Sequence, residues 1–164
     1  MTHSQQYDVI VIGGGHAGSE AALAAARYGA RTLLVTIRAV DIACMPCNPA
    51  VGGIAKSHLV FELDALGGEI ARNTDYTGIQ FRVLNTKKGP AVQANRVQSD
   101  KIAYGTRMAA VIEAAQNLDV AESTTKGLDI RNGRLCGIFL EDGTPVAAKT
   151  VVITPGTYLR GRIH

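Results

Sequence analysis

Apolar and polar positions along the first part of the chain predict a strand, a helix and a second strand. Tyr7–Ile12 is an apolar, β-branched run that ends at glycines, and Ser19–Tyr28 is an alanine-rich stretch that Gly29 would end as a helix. Arg31–Thr36 is a second β-branched run. These elements fit within the roughly 30 residues of a βαβ unit, so we predict two parallel strands joined by a right-handed crossover.

The regular alternation stops in the middle of the chain. Residues 37–53 contain two prolines and read as a loop. Apolar residues line one face of a helix from about Ile54 to the glycine pair Gly67-Gly68. We expect residues 69–94 to be irregular apart from a short strand, Ile79–Leu84, and a turn near the following lysines.

The last part of the chain predicts one long helix and then mostly strands. Helical spacing of apolar residues extends from about Asn95 to Asn117, and Leu118–Glu122 reads as a third parallel strand. Leu128–Ala148 alternates around an Asn-Gly and an Asp-Gly pair, which predicts a three-stranded antiparallel meander. Thr150–Thr154 then returns as a buried strand beside the first one.

This order of elements predicts an α/β fold: a Rossmann-like, FAD-binding parallel sheet of the glutathione-reductase type, with a β-meander crossover and a helical and loop insertion. A plain nicotinamide dehydrogenase would continue its βαβ repeats where this chain has the meander. We expect residues 1–164 to be part of one FAD/NAD(P)-binding domain, with the insertion at 37–118 and the meander at 127–149.

The glycine loop after the first strand is the strongest candidate site. It satisfies the G-x-G-x-x-G pattern, in which Gly13 permits a tight turn, Gly15 lets backbone approach a pyrophosphate, and Gly18 permits close helix packing. The following helix would offer its N-terminal N–H groups to the phosphates. The candidate cofactor-binding residues are Gly13, Gly14, Gly15, His16, Ala17 and Gly18.

The acidic residue that usually binds ribose at the end of the second strand is absent. Thr36 ends that strand and can bond ribose more weakly, while the nearest carboxylate, Asp41, lies further along. Arg38 can serve adenine or a phosphate. The loop alone therefore leaves both FAD and NADP open.

Composition and charge narrow the class of protein. With 164 residues and 46% hydrophobic content, the chain suits one folded domain, and its longest apolar runs are far shorter than a bilayer span. Three cysteines fit a reducing compartment and favour neither a disulfide scaffold nor a metal site, so we expect a cytoplasmic protein. The formal charge of +3 comes from residues 54–107, which suits a phosphate-rich partner or simply a solvated face.

The middle of the chain resembles a known family. Residues 47–68 read CNPAVGGIAKSHLVFELDALGG, which is similar to the signature segment of the MnmG (GidA) family of tRNA uridine-5-carboxymethylaminomethyl modification enzymes. The resemblance continues through Gly78–Arg82 and Lys88–Val92 and returns at Gly156–His164. It runs collinearly over the whole chain.

The resemblance implies an FAD enzyme that acts with an MnmE-type GTPase on C5 of the wobble uridine of certain tRNAs. Methylenetetrahydrofolate would supply the carbon, glycine or ammonium the amine, and NADH the reducing equivalents. Because the family's chains are several times longer, we expect this chain to be their N-terminal part. The NADH site and the homodimer of the full-length family would need the remainder.

Two further residues acquire roles through the resemblance. Thr125, at the start of the meander, matches another FAD contact, and Cys47 matches a cysteine regarded as functionally important. A cysteine thiolate can add to C6 of uracil and make C5 nucleophilic, while a packing role is the simpler reading. The remaining alternatives are a generic FAD- or NAD(P)-dependent oxidoreductase acting on small molecules and a non-catalytic binding module.

Overall fold

The computed structural model describes residues 6–46 and 48–159, and these divide into two compact units. The first unit contains residues 6–42 and 109–159, and the second contains the described residues of 43–108. In chain order the helices and strands are β1 Tyr7–Ile12, α1 His16–Arg27, β2 Thr32–Thr36, β3 Ala50–Gly52, α2 Lys56–Ala65, α3 Ile70–Thr77, β4 Gly78–Leu84, β5 Ala94–Ser99, α4 Lys101–Glu113, β6 Leu118–Glu122, β7 Thr125–Arg131, β8 Arg134–Leu140 and β9 Pro145–Ile153.

A six-stranded sheet forms the first unit, in the order β6-β2-β1-β9-β8-β7. The four strands β6, β2, β1 and β9 are parallel, whereas β7 and β8 pair antiparallel. This arrangement confirms the predicted α/β class with its parallel sheet and meander. Within the described residues, no helix is long and apolar enough to cross a membrane.

The core of this sheet comes from the β-branched runs seen in the sequence. Ile10, Leu33 and Val35 of the central strands cluster with Ile138 and Ala148 from the meander side. All five are less than a tenth exposed. Burying such side chains contributes roughly 1.5–3 kcal/mol for each large one, which is why the strand runs are the most predictable part of the chain.

The third meander strand and the final strand, predicted as separate elements, are one continuous strand. The first residues of β9 pair antiparallel with β8, and its later residues pair in parallel with β1. The predicted break fell at Lys149, a polar residue between apolar ones. Its exposed ammonium nitrogen lies 2.7 Å from a carboxylate oxygen of Asp8, and the ladder with β1 includes the residues on both sides of it, so this polar position does not interrupt the strand.

In the second unit, the long helix predicted from Asn95 starts later than expected. Ala94–Ser99 is instead strand β5, which pairs antiparallel with both β3 and β4. Helix α4 begins at Lys101 because the Asp100 carboxylate accepts the backbone N–H groups of Ile102 and Ala103, both at 2.9 Å. A side chain that satisfies the first N–H groups of a helix defines where that helix begins.

Helix α3 and strand β3 lie in segments predicted to be irregular. The sequence of α3 is polar, and its buried face includes Asn73, Thr74 and Thr77 rather than an apolar stripe. Both threonine hydroxyls donate to backbone carbonyls four residues earlier, Thr74 to Ile70 and Thr77 to Asn73, each at 2.7 Å. Because these buried residues are polar, the pattern of apolar residues did not predict this helix.

The buried polar face of α3 is held by a small network within the second unit. The Asn73 amide, fully buried, donates to the Tyr104 carbonyl at 3.0 Å and accepts from the Arg107 guanidinium at 3.1 Å. The same guanidinium lies 2.8 Å from a Glu69 carboxylate oxygen and stacks over the Tyr76 ring. Asn73 thus connects α3 to α4.

Replacing Asn73 with alanine should destabilise the chain by about 1–3 kcal/mol, because it removes one hydrogen bond from a buried carbonyl and one from a half-buried guanidinium. Denaturant unfolding monitored by circular dichroism measures the change. The exposed neighbour Arg72 on the same helix is the control, and Arg72→Ala should change stability by less than about 0.5 kcal/mol. Equal stability of the two variants would contradict this account of α3.

Candidate dinucleotide-binding site

The glycine loop lies at the carboxyl edge of the parallel strands of the first unit. It connects the end of β1 to the start of α1, and the Gly13 N–H donates to the Val35 carbonyl of the neighbouring strand at 2.8 Å. The ends of β2, β6 and β9 lie along the same edge, because all four strands are parallel. Ligands of open α/β sheets bind at this edge.

Three backbone segments approach one another closely around Gly13. This residue has a φ of +107°, and a Cβ there would overlap the Thr154 carbonyl. A Cβ on Gly18 would overlap the Gly13 carbonyl and lie 2.7 Å from the Thr154 hydroxyl. The end of β1, the first turn of α1 and the end of β9 can therefore meet only if both positions are glycine.

Thr154 is a site residue that the sequence analysis missed. Its hydroxyl lies within donating distance of two carbonyls, Ile12 at 2.9 Å and Gly13 at 3.1 Å, and its N–H donates to Ile12 at 2.9 Å. The available signal was the Thr-Pro-Gly sequence directly after a strand predicted to lie beside β1. Thr154 attaches β9 to the glycine loop and so shapes it.

Gly14 lies against the side chain of Thr36. A Cβ on Gly14 would lie 2.6 Å from the Thr36 hydroxyl, so the threonine occupies the space of the missing side chain. Thr36 is only 7% exposed in the folded chain. The structure places it beneath the loop at the end of β2, and its predicted contact with ribose stays a prediction.

Gly15 differs from the other loop glycines, because among the described residues no atom outside its two chain neighbours lies within 4 Å of the position a Cβ would take. Its φ of −69° is also accessible to any residue. Packing within the described residues therefore does not require glycine at this position. The open space lies at the N-terminus of α1, where Gly15 is the N-cap residue and Ala17 is exposed.

The N-terminus of α1 is suited to a negatively charged group. Within the described residues no side chain caps it through a hydrogen bond, and its first turn contains no acidic residue. The first N–H groups of a helix have no acceptors within the helix, and its dipole places positive partial charge at that end. Together with the space at Gly15, these features form a cradle that a pyrophosphate fits.

His16 is half-buried at the first position of α1. Burial lowers the pKa of its imidazole below the ordinary value of 6.5, because desolvation disfavours the charged form. The side chain is therefore mainly neutral near pH 7. The positive character of the cradle comes from the helix and not from this histidine.

Two more residues lie at the carboxyl end of β6 or shortly after it in the chain. Thr125 begins β7, and within the described residues its hydroxyl is buried without a hydrogen-bond partner. Glu122 ends β6, and one of its carboxylate oxygens accepts the Ala39 N–H at 2.6 Å. A carboxylate therefore does reach the segment after β2, although it comes from the neighbouring strand. Asp41, the acid considered earlier, instead pairs with Arg38 at 3.5 Å.

Cys47 lies outside the described residues, so its predicted role stays a prediction. The described residues around it belong to the second unit. The Lys101 ammonium nitrogen lies 3.5 Å from the Pro46 carbonyl, and the Ser99 N–H donates to the Pro49 carbonyl at 2.7 Å. Residues Arg160–His164, which contributed to the family resemblance, also lie outside the described part.

Comparison with known proteins identifies the family. The family described as glucose inhibited division protein A (GidA) matches residues 8–164. The chain belongs to the GidA family. Two relatives named tRNA uridine 5-carboxymethylaminomethyl modification enzyme MnmG match along its whole length, one from Pelobacter propionicus at 56% identity and one from Geotalea uraniireducens at 52%.

A solved structure supports the same assignment. Aquifex aeolicus GidA matches with a TM-score of 0.91 and 47% identity over 96% of this chain. This GidA-family chain spans about a quarter of its relatives, 26% of each MnmG sequence and of the Aquifex chain. The fold class and the family predicted from the sequence are thereby confirmed.

Removing the Thr154 hydroxyl should loosen the glycine loop. Thr154→Val keeps the shape of the side chain but loses its bonds to two carbonyls, so we expect a loss of about 0.5–1.5 kcal/mol in the free energy of unfolding. Thr154→Ser is the matched control, because it keeps the hydroxyl. Urea denaturation compares the two, and a serine variant as unstable as the valine variant would refute the role of the hydroxyl.

His16 should make folding stability depend on pH. Because its pKa is lower in the folded chain than the ordinary 6.5, the unfolded chain takes up a proton first as the pH falls. Its contribution to stability is therefore present above about pH 6.5 and is lost as the pH falls towards the folded pKa. Unfolding of the wild type and His16→Gln from about pH 8 to about pH 5 should show a smaller acid loss in the variant. If the stability of the two proteins fell equally with pH, the lowered pKa of His16 would be contradicted.

Proposed function

We propose that the chain is the FAD-binding N-terminal part of an enzyme that modifies C5 of the wobble uridine of tRNA. The observation that carries the proposal is the name shared by relatives that are more than half identical along the entire chain. Those relatives are named for tRNA uridine 5-carboxymethylaminomethyl modification. The chain spans a quarter of their length, and cofactor binding is the part of the work that its glycine loop would perform.

The glycine loop would hold the cofactor pyrophosphate. The open space at Gly15 and the uncapped N-terminus of α1 support this, since a ligand oxygen can approach backbone there without meeting a side chain. Gly13, Gly14 and Gly18 shape the loop, while His16 and Ala17 begin the helix beneath the phosphates. Bound FAD supplies redox chemistry to the transfer of a one-carbon unit.

The adenosine half of FAD would lie along the ends of β2 and β6. Thr36 would offer a hydroxyl to ribose, and Thr125 has a buried hydroxyl that lacks a partner within the described residues. The Glu122 carboxylate beside Ala39 adds an acceptor at the corner where such folds usually place their acid. These three residues are the candidates for recognising the nucleoside.

The remaining steps of the modification reaction need binding sites that the rest of a full-length enzyme would supply. We infer an MnmE-type GTPase partner, methylenetetrahydrofolate and glycine or ammonium as donors, NADH as reductant and a homodimeric assembly in the cytoplasm. Cys47 is our candidate nucleophile for C6 of uracil, an addition that would make C5 reactive.

The competing function is that of an oxidoreductase using NADPH, which Arg38, the second residue after β2, would favour by binding the 2′-phosphate. Titration of the purified chain with FAD and with NADPH, followed by flavin and nicotinamide fluorescence, decides between them. Saturable FAD binding without NADPH binding is the expected result. Tight NADPH binding without FAD binding would overturn the proposal.

Adding one methyl group at Gly15 should weaken FAD binding without unfolding the chain. The Cβ of Gly15→Ala meets no atom of the described residues beyond its chain neighbours and the residue keeps an allowed φ, yet this Cβ would stand where a phosphate must approach. We expect at least about tenfold weaker binding, equivalent to about 1.4 kcal/mol.

The control for this variant is Gly105→Ala in the second unit, where an added Cβ also meets no atom. FAD titration and thermal unfolding of both variants complete the experiment. Unchanged FAD affinity in Gly15→Ala would remove the pyrophosphate from this loop.

A further inference from the structure

The antiparallel pair β4–β5 with its connection, residues 78–99, carries an unbalanced charge. We call this segment the basic hairpin. It contains four basic residues, whereas the stretch from Tyr76 to Ser99 contains no aspartate or glutamate at all. All four basic side chains are exposed: Arg82, Lys87, Lys88 and Arg96. A local surplus of this kind attracts anions irrespective of the modest net charge of the chain.

Two of these cations face each other across the strands. Arg82 and Arg96 are directly paired in the ladder, so both side chains project from the same face of the sheet. Gln80 and Gln98 form the next pair on that face. Within the described residues neither guanidinium has an ion-pair partner. Like charges placed directly opposite each other destabilise a sheet, and an anion between them would remove that cost.

The connection between the strands holds the two lysines in a defined turn. The Asn85 amide donates to the Val92 carbonyl at 3.0 Å, and the Gln93 amide donates to the Lys88 carbonyl at 3.0 Å. The Lys88 N–H closes the turn on the Asn85 carbonyl at 2.8 Å. Lys87 and Lys88 therefore add two exposed positive charges in an ordered loop that follows the strand of Arg82.

Strand β4 also offers an apolar surface on its other face. It is an edge strand, since the order of the small sheet is β3-β5-β4. Phe81 is 58% exposed there, between Ile79 and Val83, which are also exposed. An exposed aromatic ring on a strand that carries cations suits unpaired nucleotides, whose bases stack while their phosphates meet the cations.

We propose that the basic hairpin binds an unpaired RNA segment that passes around the outer edge of β4, with its phosphodiester backbone at Arg82 and Arg96 on one face and a base stacked on Phe81 on the other. The inference deepens the proposed function, from which it takes RNA as the substrate class. A small anion would use the arginine pair alone. An RNA strand would use the arginines, the lysines and the ring together.

The test is fluorescence anisotropy of a labelled single-stranded RNA titrated with the 164-residue chain at several salt concentrations. Removing one arginine–phosphate interaction should reduce the salt slope by about 0.7, which corresponds to about fivefold weaker binding at about 0.1 M salt. Arg82→Gln and Arg96→Gln should each show this change, and the double variant about twice the change in slope. An unchanged slope in the double variant would overturn the proposal.

Two variants separate RNA binding from general loss of charge. Arg134→Gln removes an exposed strand arginine of the first unit and should leave the slope and the affinity unchanged. Phe81→Ala should weaken binding at least about fivefold with no change in slope, because stacking is uncharged. Circular dichroism verifies that all variants stay folded. An equal effect of Arg134→Gln would show only non-specific attraction and would refute the assignment.

Competition identifies the ligand class. Unlabelled RNA should displace the probe, whereas inorganic phosphate and ADP at the same concentration of phosphate groups should not. Displacement by either small anion would replace the RNA assignment with a small-anion site. FAD titration of the same arginine variants should be normal. Failure of FAD binding in the wild type, with arginine-dependent RNA binding intact, would count against the proposed function and leave this inference standing.

Discussion

The close approach of Gly13, Gly18 and Thr154 is the constraint on which the candidate site depends. At this point the end of β1, the first turn of α1 and the end of β9 come together so tightly that two of the positions have no room for a Cβ. The Thr154 hydroxyl joins the strand ends through the Ile12 and Gly13 carbonyls. As a result the N-terminus of α1 stays open at the carboxyl edge of the sheet, ready for an anion.

The two units divide the chemistry of the chain between them. The first unit contains the glycine loop and every proposed FAD contact, and its neutral His16 leaves the helix dipole as the source of positive potential. The second unit contains the basic hairpin and the segment around Cys47. In the proposed enzyme the first unit would bind the cofactor and the second unit would recognise RNA.

Prediction from the sequence succeeded where runs of apolar residues correspond directly to buried strands. Strand β2 is an apolar run that is buried at every residue, and its observed bounds, Thr32–Thr36, lie within the predicted Arg31–Thr36. It failed where polar contacts decide the structure. Helix α3 is stabilised by buried Asn73 and by threonine hydroxyls, and the start of α4 is set by the Asp100 side chain. Such bonds leave no hydrophobic period to read.

The sequence by itself determined the parallel sheet, the glycine loop and the family, because strand composition and long motifs are local properties of the chain. Only the tertiary structure decided what each loop glycine does. Gly13, Gly14 and Gly18 make room for the protein itself, and Gly15 alone leaves space for a ligand. Likewise, the register between β4 and β5 is what places Arg82 opposite Arg96. Register and close approach join residues far apart in the chain, so no local pattern contains them.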